Sequence, residues 1–490
     1  MLPRLWGEGR FDSVDEATLE YIRDLGATHV WYTGIPRHAS GRSFVKGSPG
    51  SPYAVSDWYD VNPYLAKDPD VRMSEWLALI DRTHRAGLKL IVDFIPNHVA
   101  RDYGILRAAP DRDYLGDGDD TTRAVSDGND FYYCPGQALK LPVKDSDWQE
   151  FPAKASGNSD SPAPDVNDWY DTIKINYGHS HTRTWDRMLE VACFWLDMGI
   201  DGLRMDMVDL VPMPFLSWLC SRLHERYPGV LLIAETYRKD LYDSYIHKAG
   251  MDLLYDKEGM YNSIRAIYAK NCGSSPEGGP EVWQSARQLT AGWQYLGSLQ
   301  PHMLGFLENH DEQRLASGFF AGDASRGIPA LCFAALFNNA SLLLYFGQEV
   351  GESASESGDG RTSIFNIVHP EGLCALWRHI HGLEALRQER ARLLASYREI
   401  LHLALSGLCN GGTIYDLCWC NTLSAGFDPE RHFAWLRSSS EEKMLFVCNF
   451  SPWAADMQIA VPEHAATMTG VPEQVLHVLT PPFGVSFIPL

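Results

Sequence analysis

Short apolar runs alternate with amphipathic helical segments along most of this chain, and this alternation constrains the fold more than any other feature. A helical pattern over residues 13–26 precedes the apolar run 27–32, and a second one over residues 74–87 precedes the run 89–94. Helices that separate strands in this way carry the chain back, so that successive strands lie parallel. The pattern therefore predicts an α/β fold with a parallel sheet.

The number of such apolar runs indicates how the sheet is completed. Seven candidate strands begin near residues 27, 89, 200, 230, 251, 303 and 341. A closed barrel of this kind needs eight strands, and the only upstream candidate is the short apolar stretch 2–6. We therefore predict a TIM-type (β/α)8 barrel whose first strand is shortened.

Two stretches depart from the alternation. The first is rich in Asp, Gly, Pro and Ser and is too long for a plain loop, which predicts a domain inserted after the third strand. In the second, beyond about residue 408, apolar residues alternate singly, which predicts an antiparallel β-sandwich. The predicted domains are a barrel over residues 1–98 and 178–400, an insert over 99–177 and a sandwich over 401–490.

The insert contains five closely spaced aspartates, Asp111, Asp113, Asp117, Asp119 and Asp120. Such a cluster is compatible with an ion site or with a solvated acidic loop. Calcium-binding loops space their ligands regularly, and that spacing is absent here. The solvated loop is therefore the better interpretation.

Charge and cysteine content exclude several classes of partner. The formal net charge of −21 argues against a nucleic acid or an anionic membrane and suits a neutral ligand. No apolar run is long enough to span a bilayer. The ten cysteines are scattered without metal-ligand spacing, so we expect reduced thiols in a reducing compartment. Residues 1–7 contain no apolar signal core, which favours a cytoplasmic location.

Charged residues stand at the end of the predicted strand near residue 200. Arg204 and Asp206 are two positions apart, and residues two apart on a strand share a face. A carboxylate at the carboxyl end of a barrel strand can be kept ionised by such a fixed cation. A structural ion pair at a strand end explains the same two residues equally well.

Two further carboxyl groups stand at the ends of other predicted strands. Glu235 and Asp311 join Asp206 in this position, and His98 and His310 end two strands as well. Active sites of such barrels lie at this edge. Converging carboxyls acquire different pKa values, so that one can donate a proton while another stays ionised. Glycoside cleavage requires this pairing.

Four segments of the chain resemble the signature regions of the α-amylase family of glycoside hydrolases, glycoside hydrolase family 13. They are Asp-Phe-Ile-Pro-Asn-His at 93–98, Gly-Leu-Arg-Met-Asp at 202–206, Ala-Glu at 234–235 and Glu-Asn-His-Asp at 308–311. Their order and their placement on strands also match. The insert and the terminal sandwich resemble that family's domains B and C.

The resemblance implies a retaining mechanism with three catalytic acids. Asp206 resembles the nucleophile and Glu235 the general acid/base, and Asp311 resembles the acid that supports the transition state. Asp206 forms a glycosyl-enzyme, and Glu235 protonates the leaving oxygen and later deprotonates water. In retaining enzymes the two carboxyl groups lie about 5 Å apart.

The resemblance also implies a set of substrate-binding residues. Arg204 resembles the partner that keeps the nucleophile ionised. His98 and His310 resemble histidines that bind sugar hydroxyls. Tyr53 resembles the ring that stacks on the central sugar.

Some positions depart from the family pattern. Asp209 and Leu210 stand where α-amylases of the family often carry Lys-His, which alters the expected contacts on the leaving-group side. Ala54 follows the stacking tyrosine, where many exo-acting α-glucosidases carry Asp, and this disfavours a strict exo-glucosidase. The chain also begins later than the family's first strand usually does, so we expect that a leader is missing.

A calcium ion joins the barrel to the inserted domain in many family members. Its ligands include the asparagine that Asn97 resembles and an aspartate at whose position this chain has Lys174. A charged lysine has no free lone pair and repels a divalent cation. We therefore predict that Lys174 replaces this ion by donating to Asn97 and that no metal binds there; other calcium sites remain open. The alternative is that Lys174 faces solvent.

The predicted substrate is an α-1,4-glucan or a maltooligosaccharide, with no nucleic-acid or membrane partner. The preferred function is α-amylase-like hydrolysis. A glucan transglycosylase or an α-glucosidase on the same scaffold is the first alternative, because the motifs do not separate water from a sugar hydroxyl as the acceptor. A non-catalytic sugar-binding or partner protein is the second, although such a protein is expected to lose one of the three acids.

Overall fold

The structure is a computed structural model that describes residues 1–272 and 285–490. The chain divides into two compact units. The first comprises Met1–Arg23, Ala27–Leu254 and Ser363–Val368, and the second comprises Asp24–Gly26, Tyr255–Thr362 and His369–Leu490. Of the predicted catalytic acids, Asp206 and Glu235 belong to the first unit and Asp311 belongs to the second.

The strands up to residue 255 are short. In chain order they are β1 (His29–Tyr32), β2 (Pro36–His38), β3 (Val55–Val61), β4 (Lys89–Phe94), β5 (His98–Ala100), β6 (Tyr133–Cys134), β7 (Ala153–Lys154), β8 (Thr172–Lys174), β9 (Gly202–Met205), β10 (Leu231–Ala234) and β11 (Leu253–Tyr255). The α-helices of this part are α1 (Glu16–Asp24), α2 (Arg72–Arg85), α3 (Arg183–Leu196), α4 (Met213–Arg226) and α5 (Tyr242–Ser244).

The remaining elements follow residue 255. The strands are β12 (Met303–Phe306), β13 (Ser341–Leu343), β14 (Thr413–Asp416), β15 (His432–Ser438), β16 (Lys443–Asn449), β17 (Ala455–Val461), β18 (Gln474–Thr480) and β19 (Val485–Pro489). The α-helices are α6 (Asn262–Cys272), α7 (Arg287–Leu296), α8 (Ile328–Leu336), α9 (Glu371–Ile380), α10 (Gln388–Ala404) and α11 (Glu463–Thr469). None of the helices in the described residues has the length and apolar character needed to cross a bilayer.

Seven strands form one parallel sheet in the order β1-β4-β9-β10-β11-β12-β13. These are the seven strands that the apolar runs predicted. In sequence, at least one α-helix lies between each two successive strands of this sheet. The pairing of β4 with β9 and of β9 with β10 is parallel. The (β/α)8 barrel class predicted from the sequence is confirmed.

The prediction of a first strand at residues 2–6 is wrong. Pro3–Leu5 forms a single 3₁₀ turn that begins with proline. Proline has no backbone N–H to give to a strand ladder, and its fixed φ suits the first position of a helical turn. Only Met1 lies beside β1, where its carbonyl accepts a hydrogen bond from the Thr33 N–H (2.9 Å) and its amino group donates to the Trp31 carbonyl (2.7 Å).

Helix α3 and the turn after it deliver β9 into the sheet. The helical period predicts an apolar stripe on α3 of Trp185, Met188, Leu189, Ala192, Trp195 and Leu196, and all of these are buried except Leu189, which is half-buried. Gly199 then adopts a φ of 96°, a left-handed conformation that only glycine takes without strain. The chain reverses there and enters β9, whose four residues are all buried.

The inserted segment contains little regular structure, as its composition predicted. Strand β5 pairs antiparallel with β8, and β6 pairs antiparallel with β7. Each pair involves only two or three residues per strand. The domain bounds given above stay predictions.

The C-terminal strands form antiparallel sheets. One has the order β14-β15-β16-β19, and the other pairs β17 with β18. Between the strands of the larger sheet, the rings of Trp435 and Phe446 stack with centroids 5.0 Å apart. The predicted antiparallel β-sandwich is confirmed.

The apolar periodicity over roughly residues 378–394 predicts one long helix, and this prediction is wrong. The structure has two helices, α9 and α10, with Gly382 between them. Gly382 has a φ of 67°, outside the right-handed helical region. A chain reversal therefore interrupts the apolar periodicity that the pattern treated as continuous.

Candidate active site

The end of β9 places Arg204 and Asp206 on one side of the strand. The Arg204 side chain is fully buried, and its Nη1 donates a hydrogen bond to Asp206 Oδ1 at 2.8 Å. Asp206 still takes part in the ladder, because its N–H donates to the Phe94 carbonyl at 2.9 Å. The predicted pairing of the two residues is confirmed in geometry, which leaves open what the pair does.

Arg204 also faces carboxyl groups from both neighbouring strands. Asp93 on β4 is directly opposite Arg204 in the register, and its Oδ1 lies 3.4 Å from Arg204 Nη1. Glu235 directly follows β10, and its Oε2 lies 2.8 Å from Arg204 Nη2. One guanidinium therefore contacts three carboxyl groups, all of them nearly or completely buried.

This imbalance of charge affects protonation. Burial raises the pKa of Asp206 well above its usual value, the neighbouring Glu235 adds to the rise, and Arg204 opposes it. Full ionisation would leave a net charge of −2 in a buried site with one cation, which is costly in a low-dielectric interior. The cluster therefore holds a proton at a pH where isolated carboxyls have lost theirs.

The Tyr53 ring lies against Arg204, and His98 begins β5. The Arg204 guanidinium carbon lies 5.4 Å from the centre of the Tyr53 ring and 5.2 Å from that of Trp31. Burial lowers the pKa of His98 to about 4, so its imidazole is neutral near pH 7 and can both donate and accept a hydrogen bond. The ring of Trp169 from the inserted segment lies 5.2 Å from the His98 ring.

The backbone after the nucleophile candidate supports Glu235. Met207 has a φ of 45°, a left-handed conformation that is strained for a residue with a Cβ. In this conformation its N–H donates to Glu235 Oε2 at 2.9 Å. The other carboxyl oxygen, Oε1, accepts a hydrogen bond from the Tyr237 hydroxyl at 2.6 Å.

His310 and Asp311 follow β12 in the second unit. His310 Nε2 lies 2.9 Å from Asp311 Oδ2, and the Asp311 side chain is 38% exposed. The side-chain oxygen of Asn309 accepts from the N–H groups of Asp311 (2.9 Å) and Glu312 (3.0 Å), which fixes the turn. The structure thus groups Asp206, Glu235, Arg204, Tyr53 and His98 in one unit and His310 with Asp311 in the other. Their joint action on one substrate stays a prediction.

Several residues of this region were not identified from the sequence. Asp93 begins the signature segment 93–98, but the sequence gives it no role. The sequence also gives no role to Trp31, Trp169 or Tyr237. Asp93 and Glu235 lie on opposite sides of β9, and this arrangement follows only from the pairing of β4 with β9 and of β9 with β10. Tyr237 lies two residues beyond Glu235, so its shared face was available as a signal.

Lys174 does not contact Asn97, so that part of the prediction is wrong. Its ammonium lies 3.4 Å from Asp160 Oδ1 and 5.6 Å from the Tyr132 ring centre. The Asn97 amide instead donates to the Gly157 carbonyl at 2.9 Å. That no metal binds there stays a prediction, which rests on the lysine at the aspartate position, because an ammonium has no lone pair for a cation. Within residues 1–272 and 285–490, no three His, Cys, Asp or Glu side chains converge as metal ligands.

The aspartates of the insert are bound by arginines. Arg107 pairs with Asp117 at 2.6 Å, and Arg183 pairs with Asp119. Weaker pairs join Arg187 to Asp113 (3.9 Å) and Arg123 to Asp120 (3.3 Å). Four of the five aspartates therefore pair with arginines, of which Arg107 and Arg123 lie in the insert and Arg183 and Arg187 lie on α3.

Most of the chain matches a known protein family. The family described as "Alpha amylase, catalytic domain" matches residues 11–373. A cyclomaltodextrinase of Geobacillus thermopakistaniensis is 22% identical over 408 residues, which cover 79% of this chain and 58% of that protein. An oligo-1,6-glucosidase of Parageobacillus thermoglucosidasius is 22% identical over 221 residues, 43% of this chain and 34% of that protein. The chain thus spans less than two thirds of either relative.

Solved structures agree with the fold. An α-amylase from Lactobacillus plantarum superposes with a TM-score of 0.66 at 18% identity, covering 100% of this chain and 97% of the other. A debranching enzyme from Nostoc punctiforme superposes with a TM-score of 0.68 at 17% identity, covering 97% of this chain and 88% of the other. At such identities the likeness shows the shared architecture.

Proposed function

Because this chain belongs to the α-amylase family of glycoside hydrolases, we propose that it is a retaining α-glycosidase that acts on α-1,4-glucans or maltooligosaccharides. The observation that carries the proposal is the contact of one buried arginine with Asp93, Asp206 and Glu235 at the ends of three neighbouring strands. Three carboxyls and one cation provide both an ionised and a protonated acid, which the double displacement requires.

In the first step, Asp206 attacks the anomeric carbon of the sugar. The bond from that carbon to the leaving oxygen breaks, and Glu235 gives its proton to this oxygen. The hydrogen bond from Arg204 at 2.8 Å favours the ionised form of Asp206 and so opposes the effect of burial. In the second step, Glu235 takes a proton from water, the resulting hydroxide displaces Asp206, and the sugar leaves with its original configuration.

The surrounding residues have binding roles in this proposal. The Tyr53 ring stacks on the sugar, and the neutral His98 exchanges hydrogen bonds with a hydroxyl group. Asp311 binds sugar hydroxyl groups and supports the transition state, and His310 binds a sugar hydroxyl group. No step involves a metal.

The location of the protein belongs to the proposal as well. The nine cysteines whose side chains the structure describes are all free thiols, and most of them are buried. Free thiols persist in reducing compartments, so we propose a cytoplasmic enzyme. Cell fractionation followed by immunoblotting tests this point, and recovery of the protein outside the cell would contradict it.

The catalytic assignment is tested with Glu235→Gln and the control Glu225→Gln. Glu225 is an exposed glutamate that pairs with Arg222. We expect kcat/KM of Glu235→Gln to fall about 10³-fold on maltotriose and much less on an aryl maltotrioside with an activated leaving group, which needs little protonation. The control should match the native enzyme. Equal losses on both substrates would show that another group is the acid.

Product analysis separates the alternatives on the same scaffold. Starch, maltotriose, pullulan and isomaltose are digested separately, and the products are resolved by chromatography. A hydrolase yields only shorter sugars. Products longer than maltotriose at high substrate concentration would identify a transglycosylase, and release of glucose alone would identify an α-glucosidase.

A further inference from the structure

The two oxygens of Glu235 have different partners. Oε2 accepts from the Met207 N–H at 2.9 Å and faces Arg204 Nη2 at 2.8 Å. A backbone N–H and a guanidinium can only donate, so a proton on Oε2 would be opposed on both sides. Oε1 contacts the Tyr237 hydroxyl at 2.6 Å, and a hydroxyl can donate or accept. Oε1 is therefore the oxygen that can carry the proton.

Tyr237 is held in place by Asp209. The Tyr237 N–H donates to Asp209 Oδ2 at 2.8 Å, and the Thr236 hydroxyl donates to Asp209 Oδ1 at 2.6 Å. The Tyr245 hydroxyl donates to the same Oδ1 at 2.9 Å. A carboxylate three residues after Asp206 thus binds the segment that follows Glu235 through both of its oxygens.

A backbone hydrogen bond also joins these two segments. The Val208 N–H donates to the Glu235 carbonyl at 3.2 Å, and the N–H of the preceding Met207 donates to the Glu235 side chain. The chain after β9 is therefore joined to the chain after β10 by main-chain and side-chain hydrogen bonds. These bonds offset the cost of the left-handed Met207 conformation.

We propose that Tyr237 is a positioning residue that holds the proton-bearing Oε1 of Glu235, and that Asp209 holds Tyr237 for this task. The inference rests on the proposed function. When Glu235 is protonated, the Tyr237 hydroxyl fixes the position of Oε1 beside the leaving oxygen. As the proton departs, charge grows on Oε1 and the hydrogen bond from Tyr237 strengthens. Asp209 then serves the acid at a position where α-amylases of the family often carry a lysine.

Other charged groups near Glu235 remain in place when Tyr237 is changed. Arg204 contacts Glu235 directly, while Asp206 and Asp93 act on it through the same guanidinium. Tyr237→Phe removes one hydroxyl and keeps the ring and the backbone bond to Asp209. A change in acid catalysis in this variant therefore reports on the hydroxyl.

The first experiment compares kcat/KM of Tyr237→Phe on maltotriose and on the activated aryl maltotrioside. A hydrogen bond to a charged group contributes roughly 1.5–3 kcal/mol, so we expect a loss of about 10- to 100-fold on maltotriose. The aryl substrate should lose less than about threefold, because it needs little help from the acid. The matched control is Tyr227→Phe, whose hydroxyl donates to Asp197 at 2.5 Å; it should match the native enzyme on both substrates.

The second experiment concerns Asp209. Asp209→Ala should show the same selective loss on maltotriose, and the double variant with Tyr237→Phe should lose no more than the more impaired single variant, because both act through one hydrogen bond. Asp209→Asn keeps one acceptor and should lie between Asp209→Ala and the native enzyme. Additive losses in the double variant would overturn the role of Asp209.

The outcomes distinguish this inference from the proposed function. Selective loss in both Glu235→Gln and Tyr237→Phe supports the inference. Selective loss in Glu235→Gln with equal losses, or no loss, in Tyr237→Phe overturns the role of Tyr237 and leaves the acid assigned. If Glu235→Gln stays active on maltotriose, Glu235 is not the acid, and the role of Tyr237 falls with it.

Discussion

Two fully buried arginines, Arg204 and Arg314, differ in the number of carboxyl groups that they contact. Arg204 contacts three carboxyl groups in the first unit. Arg314, in the second unit, contacts one, with its Nη1 2.8 Å from Glu308 Oε1. Arg314 also donates to the Phe346 carbonyl at 2.9 Å and to the Thr362 hydroxyl at 2.8 Å. The first site has an excess of acids, and in the second one acid matches one base.

The difference shows where chemistry can take place. At Glu308, one oxygen accepts from Arg314 and the other from the Leu315 N–H at 2.5 Å, so both are engaged in the fold. Around Arg204, three acids compete for one cation, and burial with the neighbouring Glu235 raises the pKa of Asp206. A balanced buried pair stabilises structure when intact, whereas an excess of carboxyls provides a nucleophile and a proton donor at some cost in stability.

Asp206→Asn tests the excess of carboxyls and has the largest expected effect. Without the attacking charge, kcat on maltooligosaccharides should fall at least about 10⁴-fold. The raised pKa of Asp206 means that its contribution to stability is present at low pH and is lost as pH rises through that pKa. The asparagine does not ionise, so the melting temperature at neutral pH should rise, as calorimetry can measure.

The exposed Asp243 provides the control for this variant, since its side chain is 72% exposed. Asp243→Asn should change neither activity nor melting temperature. Near-native turnover by Asp206→Asn would exclude it as the nucleophile. A lowered melting temperature would show that the acids around Arg204 are balanced after all.

Arg314→Met tests the balanced pair and should change stability in the opposite direction. The variant leaves Glu308, Phe346 and Thr362 without their buried donor, so the free energy of unfolding should fall by roughly 3–5 kcal/mol. Urea denaturation measures this loss. The control Arg378→Met breaks a half-exposed pair with Glu384 and should cost less than about 1 kcal/mol. A loss as small as that of the control would remove the contrast between the two sites.

The pH dependence of stability gives a smaller and more specific test. Burial raises the pKa of Glu308 from 4.5 to about 7, against the opposing effect of Arg314. The folded pKa lies above the unfolded one, so this contribution is complete below pH 4.5 and is lost as pH rises through about 7. The unfolding free energy of the native protein minus that of Glu308→Gln should therefore fall by about 3 kcal/mol between pH 4.5 and pH 8. A constant difference would show that folding leaves the pKa of Glu308 unchanged.

The sequence predicted the parts of the molecule that depend on local pattern. The seven strands of the parallel sheet were found because short apolar runs between helices are local signals. Asp206 and Glu235 were found because each directly follows such a run. Two predicted elements were wrong because the apolar pattern overlooked a local residue. Pro3 begins a turn where a strand was predicted, and Gly382 follows the end of a helix that was predicted to continue.

The charge balance around each arginine could not be predicted in this way. The spacing of Arg204 and Asp206 left a structural pair and a catalytic pair equally open. The contact with Asp93 and Glu235 favours the catalytic interpretation, and it depends on the register of β4, β9 and β10. The contact of Tyr237 with Glu235 has a local signal in the sequence, but its contact with Asp209 depends on how the loops after β9 and β10 meet.

The smallest effect, none at all, is expected when calcium is removed. This prediction tests whether side chains are the only cations that contribute to the charge balance of these sites. Lys174, opposite His98 in the pairing of β5 with β8, directs its ammonium to Asp160. We expect EDTA to change neither the melting temperature nor the activity. Lys174→Asp supplies the carboxylate that the family's ion requires, so added calcium should raise the melting temperature of this variant and not that of the native protein. A drop of several degrees in the native protein with EDTA, reversed by calcium, would show that a metal ion contributes to the charge balance.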